Sequence, residues 1–190
     1  MHISELQHQI AAYEDQMAFK ELYMRMRKPL YKFAFGITRN KVAAEEAIND
    51  VFTRIWTHRD NLDHIHEIKI YLYTSVRNRS LNFIRSQELF PLISLDEISL
   101  EIEDLVDTPE QATLTQELFA KIQGAVNALP AKCKVIFKLI REDGLRYKEV
   151  AELLQIQPKT VENQLNIAAK KIRRVVEKYR QEVIEKAGHG

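Results

Sequence analysis

The sequence contains few of the residues that interrupt helices or cross-link loops. Its 190 residues include one cysteine, five glycines and five prolines. A single cysteine excludes an internal disulfide framework, and so few glycines and prolines argue against an all-β chain with many turns. Leu, Ala, Glu, Lys, Arg and Gln are abundant, and they favour helix by intrinsic propensity. We therefore expect an all-α protein.

Long apolar runs are also absent. No stretch approaches the roughly 18 apolar residues that a membrane-spanning helix needs. The N-terminal segment "MHISELQHQIAAYEDQ" is polar and amphipathic, unlike a signal peptide. With 45% hydrophobic residues, the composition is that of an ordinary globular chain. These features predict a cytoplasmic protein without membrane insertion.

Motifs for catalysis and for metal binding are missing as well. The chain has no phosphate-binding loop, dinucleotide fingerprint, catalytic triad or paired carboxylates. His64 and His66 form an H-x-H pair, but no cysteine or third histidine stands at zinc spacing. Cys133 lies in an amphipathic segment and is expected to be a packing residue. We expect no enzyme activity, no cofactor and no metal.

Charge is distributed unevenly although the total is only +1. Residues 1–87 carry 13 basic and 10 acidic side chains. Residues 88–117 carry no basic and nine acidic side chains, and residues 118–190 carry 15 basic and eight acidic side chains. An acidic segment with two prolines and no helical period is typical of a linker. The pattern predicts two basic helical domains, 1–87 and 118–190, joined by an acidic linker, 88–117.

Three helices are predicted in the first domain. Apolar spacing from Phe19 to Ile37 indicates a helix interrupted or kinked near Pro29, and Val42 to Trp56 carries one continuous apolar stripe. A third helix, from about Ile68 to Gln87, is expected to turn Leu72, Val76, Phe83 and Ile84 inward. It would expose a surface of basic, amide and aromatic side chains: Lys69, Tyr71, Tyr73, Arg77, Asn78, Arg79, Asn82 and Arg85. The two tyrosines could equally be packing residues.

The second domain is predicted to end in a helix-turn-helix. Helices at about Leu118–Leu129 and Ala131–Arg141 are followed by "YKEVAELLQIQPKTVENQLNIAAKKI", in which Pro158 suits the first position of a helix. In a helix-turn-helix the second helix lies in the DNA major groove. Its start would meet base edges through Lys159, Thr160, Glu162, Asn163 and Asn166, and its far end would meet phosphates through Lys170, Lys171, Arg173 and Arg174. An αα-hairpin with a solvated charged face is the alternative.

Three segments in this order resemble a known family. "AEEAINDVFTRIW", "IKIYLYTSVRNRSLNFIR" and the segment from "LFAKIQGAVNALP" to "AAKKIRR" are similar to bacterial RNA polymerase sigma factors of the extracytoplasmic-function (ECF, group IV) branch of the sigma-70 family. The resemblance covers about Phe19 to Tyr179. The wording "YLYTSVRNRSLNFIR" resembles the versions of Bacteroidetes-type bacteria. Promoter recognition and transcription initiation are the implied function.

The resemblance also implies roles for residues of the first domain. Glu46, Asn49 and Asp50 match the positions that contact the β′ coiled coil of core RNA polymerase, although a plain solvated helix face is the alternative. The third helix and the loop before it match the part that melts the minus-ten element and holds its single strand. This assigns minus-ten contacts to Asn61, His64, His66, Lys69, Tyr71, Arg77, Asn78, Arg79, Asn82 and Arg85. Family members often have Trp at the position of Tyr71. The tyrosine is therefore a departure from the family pattern at a position where the side chain would stack on a base.

The remaining implications concern the rest of the chain and its partners. The helix-turn-helix would bind the minus-thirty-five element of promoter DNA while its earlier helices lie on the polymerase β flap. The acidic linker would thread toward the active-site cleft, or else be a plain tether. An anti-sigma factor would control the protein. Two other hypotheses stay open at this point: a stand-alone helix-turn-helix regulator, and a purely protein-binding helical module.

Overall fold

The computed structural model of the chain describes residues 2–86 and 114–188. Within them, eight α-helices and one 3-10 helix form two compact units, one of α1–α4 and one of α5–α8. No helix in these ranges is long and apolar enough to cross a membrane. The predicted linker lies outside the described residues except for its last four. The helices are α1 Ile3–Tyr13, α2 Gln16–Thr38, α3 Lys41–Thr57, a 3-10 helix Arg59–His64, α4 Ile68–Ser86, α5 Leu114–Asn127, α6 Ala131–Arg141, α7 Tyr147–Leu154 and α8 Pro158–Gly188.

The first unit is built on the mutual packing of α2, α3 and α4. Leu22 and Leu30 of α2, Ile48 of α3, and Leu72 and Val76 of α4 are each no more than 2% exposed. They recur at the three- and four-residue intervals that place side chains on one face of a helix. Burying that face removes apolar surface from water, and this is the main stabilising contribution to the unit. The α3 and α4 bounds agree with those predicted from the sequence.

α2 differs from its prediction at the proline. The helix continues without interruption from Gln16 through Pro29 to Thr38, so the predicted interruption is wrong, and the alternative, a kink, stays a prediction. A proline inside a helix removes one backbone hydrogen bond, at a cost of about 3 kcal/mol. Met26, Leu30 and Phe33 are buried on both sides of it, and their burial on one continuous face offsets that cost.

Polar side chains define where α2 and α3 begin. The Asp15 carboxylate accepts hydrogen bonds from the backbone N–H groups of Met17 and Ala18, at 2.7 and 3.1 Å, and the Asn40 amide oxygen accepts one from Ala43 at 3.1 Å. These bonds satisfy N–H groups that have no partner within the helix. Arg39, with φ of 52°, ends α2 in the left-handed conformation. Arg39 and Asn40 therefore separate α2 from α3.

The second unit buries Cys133 at its centre. The cysteine is 0% exposed and lies in a cluster with Val126, Leu129 and Ala168, as expected for a packing residue. Its thiol donates a hydrogen bond to the Gln164 carbonyl at 3.1 Å. α6 has the predicted bounds. α5 begins at Leu114, four residues before the predicted Leu118.

The helix-turn-helix is present with the predicted turn. α7 ends where Gln155 adopts the left-handed conformation, with φ of 53°, and α8 begins at Pro158. Val161 and Ala168 are 0% exposed on the inner side of α8. The helix continues well beyond the segment predicted to contact DNA, and its later part packs on α5 through Tyr179, which is 8% exposed.

This packing makes the Cys133 thiol a probe of unfolding. Burial raises the pKa of the thiol, and a thiol reacts with maleimide only as an accessible thiolate. We expect slow labelling of the native protein, accelerated in urea in step with the loss of helical circular dichroism. Leu139, 2% exposed, stabilises the same unit, and Leu139→Ala should accelerate native-state labelling by destabilising it by about 2–5 kcal/mol.

Arg174→Ala is the control for that measurement, because Arg174 is exposed on α8. It should leave the labelling rate close to that of the unmodified protein. Rapid labelling of the folded protein without denaturant would contradict the burial of Cys133.

Candidate functional site

One edge of α4 exposes amide, basic and aromatic side chains together. Tyr71 is 38% exposed, and Asn78, Asn82 and Arg85 are exposed along the same helix, while Arg79 is half-buried. The intervals of seven, four and three residues from Tyr71 to Arg85 keep these side chains on one stripe of the helix. Most of the minus-ten candidates on α4 therefore do share a surface.

A pocket lies beside this stripe, between α3 and α4. Its volume is about 340 Å³, and it is lined by Val51, Arg54, Tyr71, Ser75, Asn78, Arg79 and Asn82. Four of the seven lining residues are candidates from the sequence. Arg54 and Ser75 were not, although Arg54 lies on the polar face of α3, one turn after Asp50. The pocket combines an aromatic ring, two amides and two guanidinium groups.

An ion pair joins the two helices at the edge of the pocket. Arg79 Nη1 lies 3.6 Å from Asp50 Oδ2, with side chains 40% and 56% exposed. Ion pairs as exposed as this one contribute at most about 1 kcal/mol. Arg79 can consequently exchange its carboxylate partner for another anion, such as a phosphate, at little cost.

Two residues of the predicted α4 surface belong to the core instead. Tyr73 is 0% exposed and packs edge-on against Phe33, with ring centroids 5.2 Å apart. Arg77 is 7% exposed, and burial lowers the pKa of its guanidinium, with a further lowering by Arg85. The predicted solvent exposure of Arg77 is wrong, and for Tyr73 the alternative of a packing residue is the one observed, because α4 packs on both α2 and α3 and so buries a wider face than its strongly apolar residues mark. Phe83 and Ile84, expected inward, are half-buried.

The α3–α4 loop, residues 58–67, alternates between inward and outward side chains. Asn61, His64 and His66 are exposed, whereas Leu62 is 2% exposed and Ile65 is half-buried. The three polar candidates of the loop thus surround an apolar anchor and face solvent. Lys69, at the start of α4, is half-buried. Across residues 2–86 and 114–188, no group of three or more His, Cys, Asp or Glu side chains is placed to hold a metal ion.

The outer face of α8 carries most of the minus-thirty-five candidates. Thr160 and Lys171 are half-buried, and the ammonium of Lys171 donates a hydrogen bond to the carbonyl of Ala128, at the end of α5. Lys159 forms an ion pair with Glu162 at 2.8 Å. The exposed candidates are Lys159, Glu162, Asn163, Asn166, Lys170, Arg173 and Arg174.

The polar face of α3 borders a second, more apolar groove. Glu46, Asn49 and Asp50 are all exposed, and the Tyr23 hydroxyl donates a hydrogen bond to Asn49 at 3.4 Å. The adjoining groove, of about 490 Å³, is lined by Phe19, Lys20, Tyr23, Asn49, Phe52, Thr53 and Trp56. The sequence interpretation missed it because it assigned these aromatics to the core. Four aromatics at helical spacing on two helices were the available indication.

Comparisons with known proteins agree on both units. Residues 22–89 match the family described as Sigma-70 region 2, and residues 119–172 match Sigma-70, region 4. The ECF RNA polymerase sigma factor SigM of Bacillus subtilis is 25% identical over 140 residues, 74% of this chain and 83% of that protein. The ECF RNA polymerase sigma factor SigW of the same organism is 25% identical over 168 residues, which cover 84% of this chain and 89% of that protein.

One solved structure has the same fold. It is the sigma factor RpoE in complex with the anti-sigma factor NepR from Bartonella quintana, with a TM-score of 0.50 and 17% identity. The match covers 84% of this chain and 96% of that one. The fold is therefore shared at low sequence identity.

The different environments of Arg77 and Arg79 predict different effects of substitution. Arg77→Ala removes a buried side chain and should lower the free energy of unfolding by about 1–3 kcal/mol. Arg79→Ala, two residues away on the same helix, should change it by no more than about 0.5 kcal/mol. Urea unfolding followed by circular dichroism measures both. Equal effects would contradict the burial of Arg77.

Proposed function

The chain belongs to the ECF branch of the sigma-70 family, and from this premise we propose that it is an alternative RNA polymerase sigma factor. It recruits core polymerase to a small set of promoters, opens the minus-ten element and is a non-enzymatic subunit of the initiating complex. It acts in the cytoplasm, where polymerase and chromosome are. The "YLYTSVRNRSLNFIR" segment favours group IV and a Bacteroidetes-type origin.

The observation that carries the proposal is the pocket between α3 and α4. Proteins hold single-stranded DNA by basic groups along the backbone and by aromatic or polar groups against unstacked bases. Tyr71 offers a ring, Asn78 and Asn82 offer amides, and Arg54 and Arg79 offer positive charge around one cavity. We assign the non-template strand of the minus-ten element to this pocket, with Arg85 and Lys69 as additional phosphate contacts.

The loop after α3 contributes base recognition. A base that leaves the stack must be recognised by hydrogen bonds to its edge. Asn61, His64 and His66 are exposed on the α3–α4 loop, and each offers hydrogen-bonding atoms to such a base. Arg77 is not part of this surface, because its side chain lies in the core.

The second unit binds the minus-thirty-five element as duplex DNA. Placing α8 in the major groove brings Asn163 and Asn166 to adenine edges and Glu162 to cytosine. Lys170 and Arg173, further along the exposed face, contact phosphates. Lys159 forms an ion pair with Glu162, so it positions that carboxylate in addition to contacting the DNA. Lys171 and Thr160 act mainly through packing at the base of the interface.

Polymerase docking falls to the polar face of α3, next to the pocket. Glu46, Asn49 and Asp50 offer a polar, reversible contact to the β′ coiled coil, and α5 and α6 contact the β flap. We divide the chain into a docking and minus-ten domain at 1–87, a linker at 88–117 and a minus-thirty-five domain at 118–190. An anti-sigma factor that covers these surfaces would control the protein, a proposal supported by the complex in which the structural relative was solved.

Reconstituted initiation tests the function directly. The purified chain, mixed with core RNA polymerase of its host, should bind the core enzyme and start transcription at a limited set of host promoters. The starts are mapped by sequencing the transcripts. Absence of core binding and of initiation on every host promoter would refute the proposal, as would tight, specific binding to a palindrome without polymerase.

Separate substitutions should divide the two activities of the first unit. Asn78→Ala and Asn82→Ala should each lower the equilibrium for open-complex formation by up to about tenfold, because each removes an amide whose hydrogen bond to a base is worth about 0.5–1.5 kcal/mol. Their affinity for core polymerase should not change. Asn49→Ala, the same substitution on the α3 face proposed to contact polymerase, should lower the affinity for core polymerase and leave open-complex formation by the assembled complex unchanged. Permanganate footprinting and fluorescence anisotropy measure the two quantities.

Substitutions on the exposed face of α8 should weaken promoter binding in two different ways. Arg173→Gln should weaken promoter binding on all sequences and reduce the slope of log affinity against log salt by about 1. Asn163→Ala should relax preference at one minus-thirty-five position by about 1–3 kcal/mol and leave the salt slope unchanged. Binding titrations of the holoenzyme at several salt concentrations check both. Identical effects of the two variants would contradict the assignment.

A further inference from the structure

α1 lies against the α3–α4 loop and makes one buried polar contact with it. Gln7 is 6% exposed in the middle of α1, between Leu6 and Ile10, which are both 0% exposed. Its amide nitrogen donates hydrogen bonds to the carbonyl oxygens of Leu62 and Ile65, each at 2.6 Å. A single amide thus uses both of its hydrogens on one loop. α1 precedes the segment that matches region 2, which begins at residue 22.

The two carbonyls belong to residues that are next in sequence to those proposed to recognise a base. Leu62 follows Asn61, and Ile65 stands between His64 and His66. Each of these three exposed side chains is therefore next in sequence to a residue whose backbone is held by Gln7. The Leu62 carbonyl also accepts the N–H of Ile65 at 2.9 Å, so the Gln7 amide binds at the point where the 3-10 helix closes.

The other contacts between α1 and the loop are more exposed. His8 Nδ1 lies 3.4 Å from Asp63 Oδ2, with side chains 59% and 47% exposed. Arg59 Nη2 lies 2.8 Å from Glu14 Oε2, and the Glu14 side chain is 64% exposed. Exposed ion pairs are weak and screened by salt, whereas an amide buried against two carbonyls leaves both unsatisfied when it is removed. Of these polar contacts, that of Gln7 is the one whose loss leaves buried groups unsatisfied.

We propose that Gln7 is a positioning residue for promoter recognition: it fixes the backbone of the α3–α4 loop so that Asn61, His64 and His66 meet a base of the minus-ten element in one geometry. It acts without touching DNA. The inference rests on the proposed function, since it requires that the loop recognises a base. It assigns to α1 a part in promoter selectivity.

Gln7→Met tests the inference in the full chain. Methionine is also unbranched and of similar length, but it donates no hydrogen bond. The matched control is Gln9→Met, because Gln9 is half-buried on the same helix. Initiation with core polymerase is measured on templates that carry each of the four bases at each minus-ten position. For each position, the ratio of the rate with the best base to the rate with the worst gives the discrimination.

A positioning role predicts a local loss of discrimination. In Gln7→Met the ratio should fall about tenfold at the position that the loop recognises, because the loop side chains no longer meet the base in one geometry, and it should be preserved at the other positions. Gln9→Met should keep the original profile throughout. Hydrogen exchange should show faster exchange of the Asn61 and Ile65 amides in Gln7→Met, since both bond within the loop.

Other outcomes overturn the inference. An unchanged profile in folded Gln7→Met, or an equal loss at every position, leaves Gln7 with only a structural role. Gln7→Leu, which fills the site with a branched apolar side chain, repeats the test; unfolding of both variants at the assay temperature also reduces Gln7 to a stability residue. If the unmodified protein does not initiate at all, the proposed function fails first, and the inference with it.

Discussion

The packing of α4 between α2 and α3 is the constraint on which the first unit depends. Once Leu72, Tyr73 and Val76 are buried against the other two helices, the rotation of α4 about its axis is determined. That rotation leaves Asn78 and Asn82 at the rim of an open pocket. The surface proposed for single-stranded DNA is thus a consequence of how the core is filled.

The same packing brings two functions close together on α3. One side of the helix borders the aromatic groove beside Asn49, and the other lines the pocket with Val51 and Arg54. Asp50 lies between them and pairs with Arg79 across the helix boundary. Since an exposed ion pair is weak, a competing partner for Asp50 or for Arg79 readily separates the two side chains. The surface proposed for polymerase on α3 and the surface proposed for DNA on α4 are therefore joined by one ion pair.

Predictions from the sequence succeeded where local chemistry decides the outcome. Apolar periodicity identified α3 and α4, and the fixed φ of Pro158 marked the start of α8. They failed where a neighbouring helix decides. Arg77 was placed outside because it is charged, yet α4 packs on both α2 and α3 and the long apolar stem of Arg77 is part of the buried face. Likewise Pro29 predicted an interruption or a kink, and burial on both sides of it accompanies a continuous α2.

The sequence by itself determined the all-α class, the helix-turn-helix and the order of segments that identifies the family, because these depend on residues near one another in the chain. Only the tertiary structure decided which polar side chains are available. Gln7 holds two loop carbonyls that are 55 and 58 positions away, and no local pattern marks such a contact. Burial and hydrogen bonding across helices are properties of packed neighbours, which the period of a single helix does not specify.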